Sequence, residues 1–316
     1  MDARATTLRA RSFGVGLDLR WGDAAGFVVE PSGGDALAPS LRAFLAHATP
    51  TFTHAFFSWQ PRDRARLRLT DYTAAWDALA AAWPEGAPVG LHHTALNLAA
   101  PAPTPREALF DLTNALCERY DLAWINEDVG HWSVAGRPVP YPLPPALDAA
   151  GLRACVRNVR ACQRALGRPL VLEFPGFEAD VRVDGAWDAY DFFRALGHET
   201  GAPLTLDVAH LLSWRWRLGK RGAALLDDLE RLPLAQAVEV HLSGCEIVGG
   251  RFLDAHHGRL LDEQLALLER LLASCPNLRR VTFEDPRLDA TGALDAGSRA
   301  SLERLRAVVE PWLREP

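Results

Sequence analysis

Residues 170–242 read LVLEFPGFEADVRVDGAWDAYDFFRALGHETGAPLTLDVAHLLSWRWRLGKRGAALLDDLERLPLAQAVEVHL. Three short apolar runs stand in this stretch, Leu170 to Pro175, Leu204 to Ala209 and Ala237 to Leu242, and segments of helical period separate them. The runs are continuous rather than alternating in polarity, which is the pattern of parallel strands buried on both faces. Each is interrupted near its end by a polar residue: Glu173, then Asp207 followed by His210, then His241. Outward from here the pattern repeats. Further strand candidates are Phe13 to Leu19, Phe52 to Trp59, Pro88 to Leu96, Leu122 to Val129 and Arg280 to Glu284, eight in all, each followed by a helix candidate.

The helices have readable starts. Thr70-Asp71, Thr104-Pro105-Arg106-Glu107 and Pro144-Pro145 supply capping residues or proline where orphan N–H groups lie, and Gly167, Gly201 and Pro276 mark stops. Eight strand-then-helix repeats with right-handed crossovers predict a TIM-type (β/α)8 barrel spanning residues 1–316 as one domain, with no linker dividing it. A doubly wound open sheet is the alternative, but GVGLDLR at 14–20 fits G-x-G-x-x-G poorly.

Composition sets the class. The chain has 316 residues, is 48% apolar and carries a formal net charge of −6, so it can bury a large core and offers no overall basic balance for nucleic acid. No apolar run approaches the roughly 18 residues of a membrane span, and the opening MDARATTLRARSF lacks the apolar stretch of a secretory signal. A soluble, cytoplasmic protein is expected. Five cysteines without a C-x-x-C pair encode neither a disulfide framework nor a thiolate zinc site. Lys220 is the only lysine among 34 basic residues, so arginine clusters reflect composition before they reflect function.

In a barrel of this type catalytic groups sit at the carboxyl ends of the strands. Here those ends carry metal-ligand types: His92-His93, Glu127-Asp128, Glu173, Asp207 with His210, His241 and Glu284-Asp285, with Asp254 and His256-His257 in the loop after strand seven. Any one of them alone is an ordinary rim residue; gathered on one face, they require a compensating cation or a dense hydrogen-bond network. Imidazole and carboxylate without thiolate suit Fe, Mn or Zn, and so many candidates suit a site of two or three ions bridged by carboxylates.

These residues resemble the domain-of-unknown-function 692 family, whose studied members are multinuclear non-haem iron enzymes that oxidise cysteines of precursor peptides. The resemblance rests on GVGL (14–17), LHHTALNL around His92, NEDVGHWSV from Asn126, RPVPYPLPPALDAAGL, NVRACQRALGRPLVLEFP, LTLDVAH, EVHLSG and LDAHHG, in order along most of the chain. It implies a xylose-isomerase-like barrel, iron as cofactor, a peptide or small thiol substrate and a peptide-presenting partner protein as one option. The implied ligands are Glu173, Asp207, His210, His241, Asp254, His256 and Glu284, with His92, Glu127 and His257 as candidate catalytic groups around them; His256 and His257 compete for one position. The frame also looks like the three-metal site of endonuclease-IV-type barrels, which keeps a Zn- or Mn-dependent hydrolase or sugar isomerase as the alternative.

The chain departs from the family where a histidine usually follows the first strand (here Leu17-Asp18-Leu19-Arg20-Trp21) and where S-E-N follows the second (here Ser58-Trp59-Gln60). It departs again at Phe174, Ala209-His210 and Cys245. Beyond the ligand set, SWRWRLGKR (213–221) puts Trp214, Arg215 and Arg217 on the functional rim as candidate substrate contacts, and His131 after strand four is another; packing on the barrel is the competing reading for each. Gln60 to Leu69 reads as a solvated charged loop. A non-catalytic scaffold without metal is the third possibility.

Overall fold

A strand with apolar side chains on both faces has no side to show to water, and closing such strands into a ring with helices outside buries both. The computed structural model describes residues 14–18, 39–47, 52–59, 68–83, 86–102, 106–178 and 180–314. The opening segment, Leu19 to Trp21 and residues 60–67 of the charged loop lie outside them. Eight parallel strands close into a barrel: β1 (Gly14–Asp18), β2 (Ala55–Trp59), β3 (Val89–His93), β4 (Trp124–Asp128), β7 (Leu170–Glu173), β8 (Leu204–Asp207), β9 (Ala237–Leu242) and β12 (Arg280–Glu284). β1 closes the ring on β12, with Asp18 level with Glu284. Helices α1 (Pro39–His47), α2 (Thr73–Ala82), α3 (Glu107–Arg119), α4 (Ala149–Ala165), α5 (Ala189–Thr200), α6 (Val208–Arg217), α7 (Asp262–Ser274) and α8 (Ala296–Val309) alternate with these strands. The fold is the expected TIM barrel. None of the helices described is long and apolar enough to cross a membrane.

Two antiparallel hairpins were not foreseen: β5 (His131–Val134) with β6 (Arg137–Leu143), and β10 (Cys245–Val248) with β11 (Arg251–Asp254). β6 reads RPVPYPL, and its three prolines argue against a strand, yet a strand with one partner tolerates them on its free edge. The second hairpin did carry a signal, Gly249-Gly250 between two β-rich runs, and both glycines turn at positive φ (58° and 79°). A smaller correction concerns Val208 and Ala209, which are helical: the Asp207 carboxylate accepts from the His210 N–H at 2.8 Å and caps α6 directly off the strand.

Alternate strand residues face inward and outward. Leu17, Leu91, Ile125, Leu172, Leu206, Val240 and Phe283 belong to the large core shared with the helices, whereas Phe56, Trp124 and Val171 form a separate cluster. Gly90 makes room for it, since a Cβ there would lie 2.5 Å from the Trp124 ring, and Gly16 likewise makes room for His54, 2.2 Å from where its Cβ would stand. Gly90→Ala is therefore expected to destabilise the fold by ~1–3 kcal/mol in a denaturant titration, because the rigid indole has nowhere to retreat; an unchanged midpoint would contradict this packing.

Candidate metal centre

The strand ends deliver their polar residues to one mouth. A cavity of about 150 Å³ is lined by Asp18, Ser58, His92, Asp128, Glu173, His210, Asp254, His256, Glu284 and Asp285, with Thr94, Trp132, Pro140, Tyr141 and Pro142 on its outer wall. Ligand-type atoms of Glu173, Asp207, His241 and Glu284 lie within 4.8 Å of one another, as do those of His92, Glu173 and His241, and those of Asp18, His92 and Glu284. His241 Nδ1 is 2.7 Å from Glu284 Oε1 and 3.3 Å from Glu173 Oε1. His92 puts Nδ1 2.5 Å from Asp18 Oδ2 and Nε2 3.5 Å from Glu173 Oε2. On the other side, Asp254 Oδ2 is approached by His256 Nε2 at 2.9 Å and His210 Nε2 at 3.4 Å.

Several of these atoms are buried without a completed hydrogen bond: His92 Nε2, both nitrogens of His241, Asp128 Oδ1, Asp207 Oδ2 and Glu284 Oε1. Orphaned lone pairs a few Å apart are costly in a dry site. Ligands bound to one ion at roughly 2.0–2.2 Å stand about 3 Å from each other, so this spacing fits a shared cation. The donor set, imidazole and carboxylate, fits a first-row transition metal.

The other faces of these groups are fixed by neighbours. His210 Nδ1 meets the Phe174 carbonyl at 2.7 Å and must donate to it, which leaves Nε2 for the cavity. Ser58 donates to Asp18 at 2.5 Å, Asn126 donates to Glu173, Ser243 donates to Asp254, and the Tyr141 hydroxyl sits 3.2 Å from both Asp254 Oδ2 and His210 Nε2. Such partners hold ligands in register before any ion arrives.

Of the residues singled out in the sequence, His92, Glu173, Asp207, His210, His241, Asp254, His256 and Glu284 come together here. Glu127 does not. It faces away from the mouth, where its Oε2 is 2.8 Å from His93 Nδ1 and its Oε1 accepts from the Leu96 N–H. Burial, with Asp128 adding, pushes the Glu127 carboxyl well above the usual range, and burial holds His93 down to about 3. The two form a neutral pair, Glu127 donating to His93 Nδ1 while His93 Nε2 faces Thr113 at 3.1 Å.

His257 is also displaced: it lies 4.0 Å from Glu246, its Nδ1 accepts from the Arg259 N–H, and it does not line the cavity, so His256 is the histidine at the mouth. The proposed substrate contacts are absent from the described lining of the cavity. Arg215 is buried against Asp228 at 2.7 Å, Trp214 packs on Phe177, Arg217 binds the Glu178 and Val181 carbonyls, and His131 yields its place to Trp132. Cys245 is buried, and burial pushes its thiol well up.

Sequence reasoning missed Asp18 and Tyr141 as site residues, and it named Asp128 and Asp285 only as strand-end acids beside the preferred Glu127 and Glu284. Asp18 ends its strand, where the strand-end rule could have found it. Tyr141 arrives on β6, inside an element that was not predicted.

Residues 69–291 match the family model described as RiPP precursor modification enzyme MbnB/TglH/ChrH. The chain belongs to this family. A UPF0276 protein of Caulobacter vibrioides is 31% identical over 189 residues, covering 59% of this chain and 66% of that one. Another, from Rhizobium meliloti, is 27% identical over 207 residues, covering 60% and 62%. The chain thus spans just under two thirds of the relatives it matches. Among solved structures, mannonate dehydratase from Streptococcus suis serotype 2 superposes with a TM-score of 0.53 at 12% identity over 96% of both chains. At that identity the likeness shows the fold alone.

Charge balance makes the site pH-sensitive. Burial and the nearby Glu173 lift Asp128 to about 7, and burial, opposed by His210 but helped by Glu284, lifts Asp207 to about 8. Burial alone would lower His92, yet Asp18, Glu173 and Glu284 carry it to about 10. Glu173 goes the other way, to about 2, because His241, His92 and His210 outweigh its burial. Groups raised on folding add stability at low pH that is lost as pH rises through their folded values. For Asp128, Asp207 and His92 that window runs from above the carboxylate range to about 10, while the Glu173 contribution is lost only as pH falls towards 2.

Metal-stripped protein is therefore expected to melt at progressively lower temperature between about pH 5 and 9, and added divalent metal to raise the melting point most at the alkaline end, since it displaces those protons. A flat profile would contradict the clustering. The facing of β4 has its own test. Glu127→Gln should be nearly neutral and Glu127→Ala should cost ~1–3 kcal/mol, both with metal content unchanged, whereas Asp128→Asn should lower metal content. The reverse pattern would turn the strand over.

Proposed function

We propose that this chain is a metal-dependent oxidase or oxygenase acting on a peptide, with two or three non-haem iron ions held by Glu173, Asp207, His241, Glu284, His92, Asp18, Asp128, His210, Asp254 and His256. The observation that carries the reading is the convergence of these strand-end groups on one cavity in a chain of a precursor-modifying family. When bound, iron would supply the redox chemistry by which O₂ oxidises a thiol.

The chain's own residues do the rest. The strands set ligand positions, and Ser58, Asn126, Ser243 and the Phe174 carbonyl orient them. Trp132, Pro140 and Pro142 make an apolar wall above the acidic floor, which keeps water away from a bound side chain. Tyr141, on the same hairpin, brings a hydroxyl to the boundary of wall and floor, where it can donate to Asp254 or to a group entering the cavity. Burial and Asp254 push its phenol well above 10, so it remains a proton donor across the working pH range. One chain over residues 1–316 working as a single domain, with a peptide as its partner, completes the proposal.

The test is metal analysis of protein purified without oxygen, followed by O₂ uptake with a cysteine-containing peptide. Two to three equivalents of iron and peptide-dependent uptake are expected, and Glu173→Ala or His241→Ala should bind less metal and stop turnover while the barrel stays folded. Zinc or manganese without O₂ uptake would instead favour the hydrolase or isomerase alternative, and no bound metal would leave only a scaffold.

A further inference from the structure

Directly beneath the site, inside the barrel, lies a carboxylate that the proposed reaction does not use. Glu239 on β9 is fully buried. Its Oε1 accepts from the Thr282 hydroxyl at 2.7 Å, and its Oε2 is 3.3 Å from Arg280 Nε. Arg280 in turn lies over the Trp124 ring, 3.8 Å from its centroid. His54 Nε2 approaches the same Oε1 at 3.6 Å and Thr282 Oγ1 at 3.0 Å. A buried ionic group of this kind is expensive unless each partner is satisfied. Glu239 accepts from Arg280 and Thr282 directly, and His54 is bonded to Thr282 beside it.

Its fourth neighbour is His241. The two residues stand two apart on β9, so both point into the barrel, one below the other. His241 Nε2 lies 3.5 Å from Glu239 Oε1, while Nδ1 on the opposite edge of the ring lies 2.7 Å from Glu284 Oε1 and 3.3 Å from Glu173 Oε1. The Phe56 ring meets the imidazole edge-on at 5.2 Å and fixes its plane. The histidine thus has carboxylates at both nitrogens, and they differ in kind. Glu173 and Glu284 line the cavity; Glu239 is sealed in the barrel, held by Arg280 and Thr282, and is not among the groups clustered to hold an ion. Beside the Arg280 guanidinium and the Thr282 hydroxyl that donates to it, Glu239 is an ionised carboxylate that accepts only, so a nitrogen turned towards it carries a proton.

We infer that Glu239 is a positioning residue for His241: it retains the proton on Nε2 and so directs the Nδ1 lone pair to the metal cluster above. The inference rests on the metal reading of that cluster. A carboxylate behind a metal-bound imidazole fixes its tautomer and orientation and raises its basicity, and losing such a partner typically weakens metal binding by about 10–100-fold.

The experiment uses Co(II) alone, titrated against a chromophoric chelator. Glu239→Gln should bind Co(II) about 10–100-fold more weakly and alter its visible spectrum while keeping the wild-type circular dichroism. Because that change leaves a buried guanidinium without its anion, Glu239→Gln combined with Arg280→Met serves as the folded alternative and should show the same loss. Arg280→Met alone disturbs the same buried network but keeps the carboxylate, and should change affinity by less than about threefold. In the Zn(II)-loaded wild type, ¹⁵N-histidine NMR should find the His241 proton on Nε2. Unchanged Co(II) affinity in both Glu239 variants, an equal loss in Arg280→Met, or a proton on Nδ1 would overturn the inference and leave the metal site standing. A wild-type chain that takes up neither ion would remove the metal reading and this inference with it.

Discussion

Carboxylates crowded at one end of a barrel repel one another, and this repulsion is the constraint around which the molecule is organised. Asp18, Asp128, Glu173, Asp254, Glu284 and Asp285 line a single small cavity, and no described arginine or lysine lines it with them. Like charges a few Å apart in a poorly hydrated site cost several kcal/mol unless something positive sits among them. Histidines are the available compensation: His92, His210, His241 and His256 all have their pKa values raised by surrounding carboxylates against the opposing effect of burial. A proton held on any of these imidazoles offsets the charge at the expense of a metal-ligand lone pair. A bound cation would release those protons and take over the neutralisation, so metal binding and proton release would be one event.

The barrel is what makes such crowding bearable. Parallel strands fix their ends in a ring, so each polar residue is held by a rigid backbone and not by a mobile loop. The hydroxyls and amides between the strands, from Ser58, Asn126, Ser243 and Thr205, each occupy one oxygen of Asp18, Glu173, Asp254 and Asn126 in turn. Beneath them the interior alternates between the Phe56, Trp124 and Val171 cluster and the ionic hub at Glu239. The floor of the site is therefore both packed and charged.

The barrel and most of the site could be read from the sequence because strands buried on both faces leave long apolar runs, and a charge that breaks such a run stands out. The same property hid the facing of each strand. In β4, Asn126, Glu127 and Asp128 are all buried, so no polarity alternation tells which of them points inward, and a one-residue choice sends the side chain to the opposite side. Sequence reading chose Glu127 and the register with β7, where Asp128 is level with Glu173, shows Asp128 at the mouth. Asp18 was passed over because the family resemblance led one to look for histidine there. The wall over the cavity was invisible for a different reason: a proline-rich strand such as β6 has no propensity signal, and its place there is set by tertiary contact alone.

The central claim is that strand-end imidazoles and carboxylates share cations at this mouth. Anomalous diffraction at the iron edge, from crystals of protein purified without oxygen, addresses it most directly. The account predicts peaks at about 2.0–2.3 Å from His241 Nδ1, Glu173 and Glu284, and from His210 Nε2 and Asp254. A well-ordered map with no anomalous density, or with the ion elsewhere on the molecule, would contradict it.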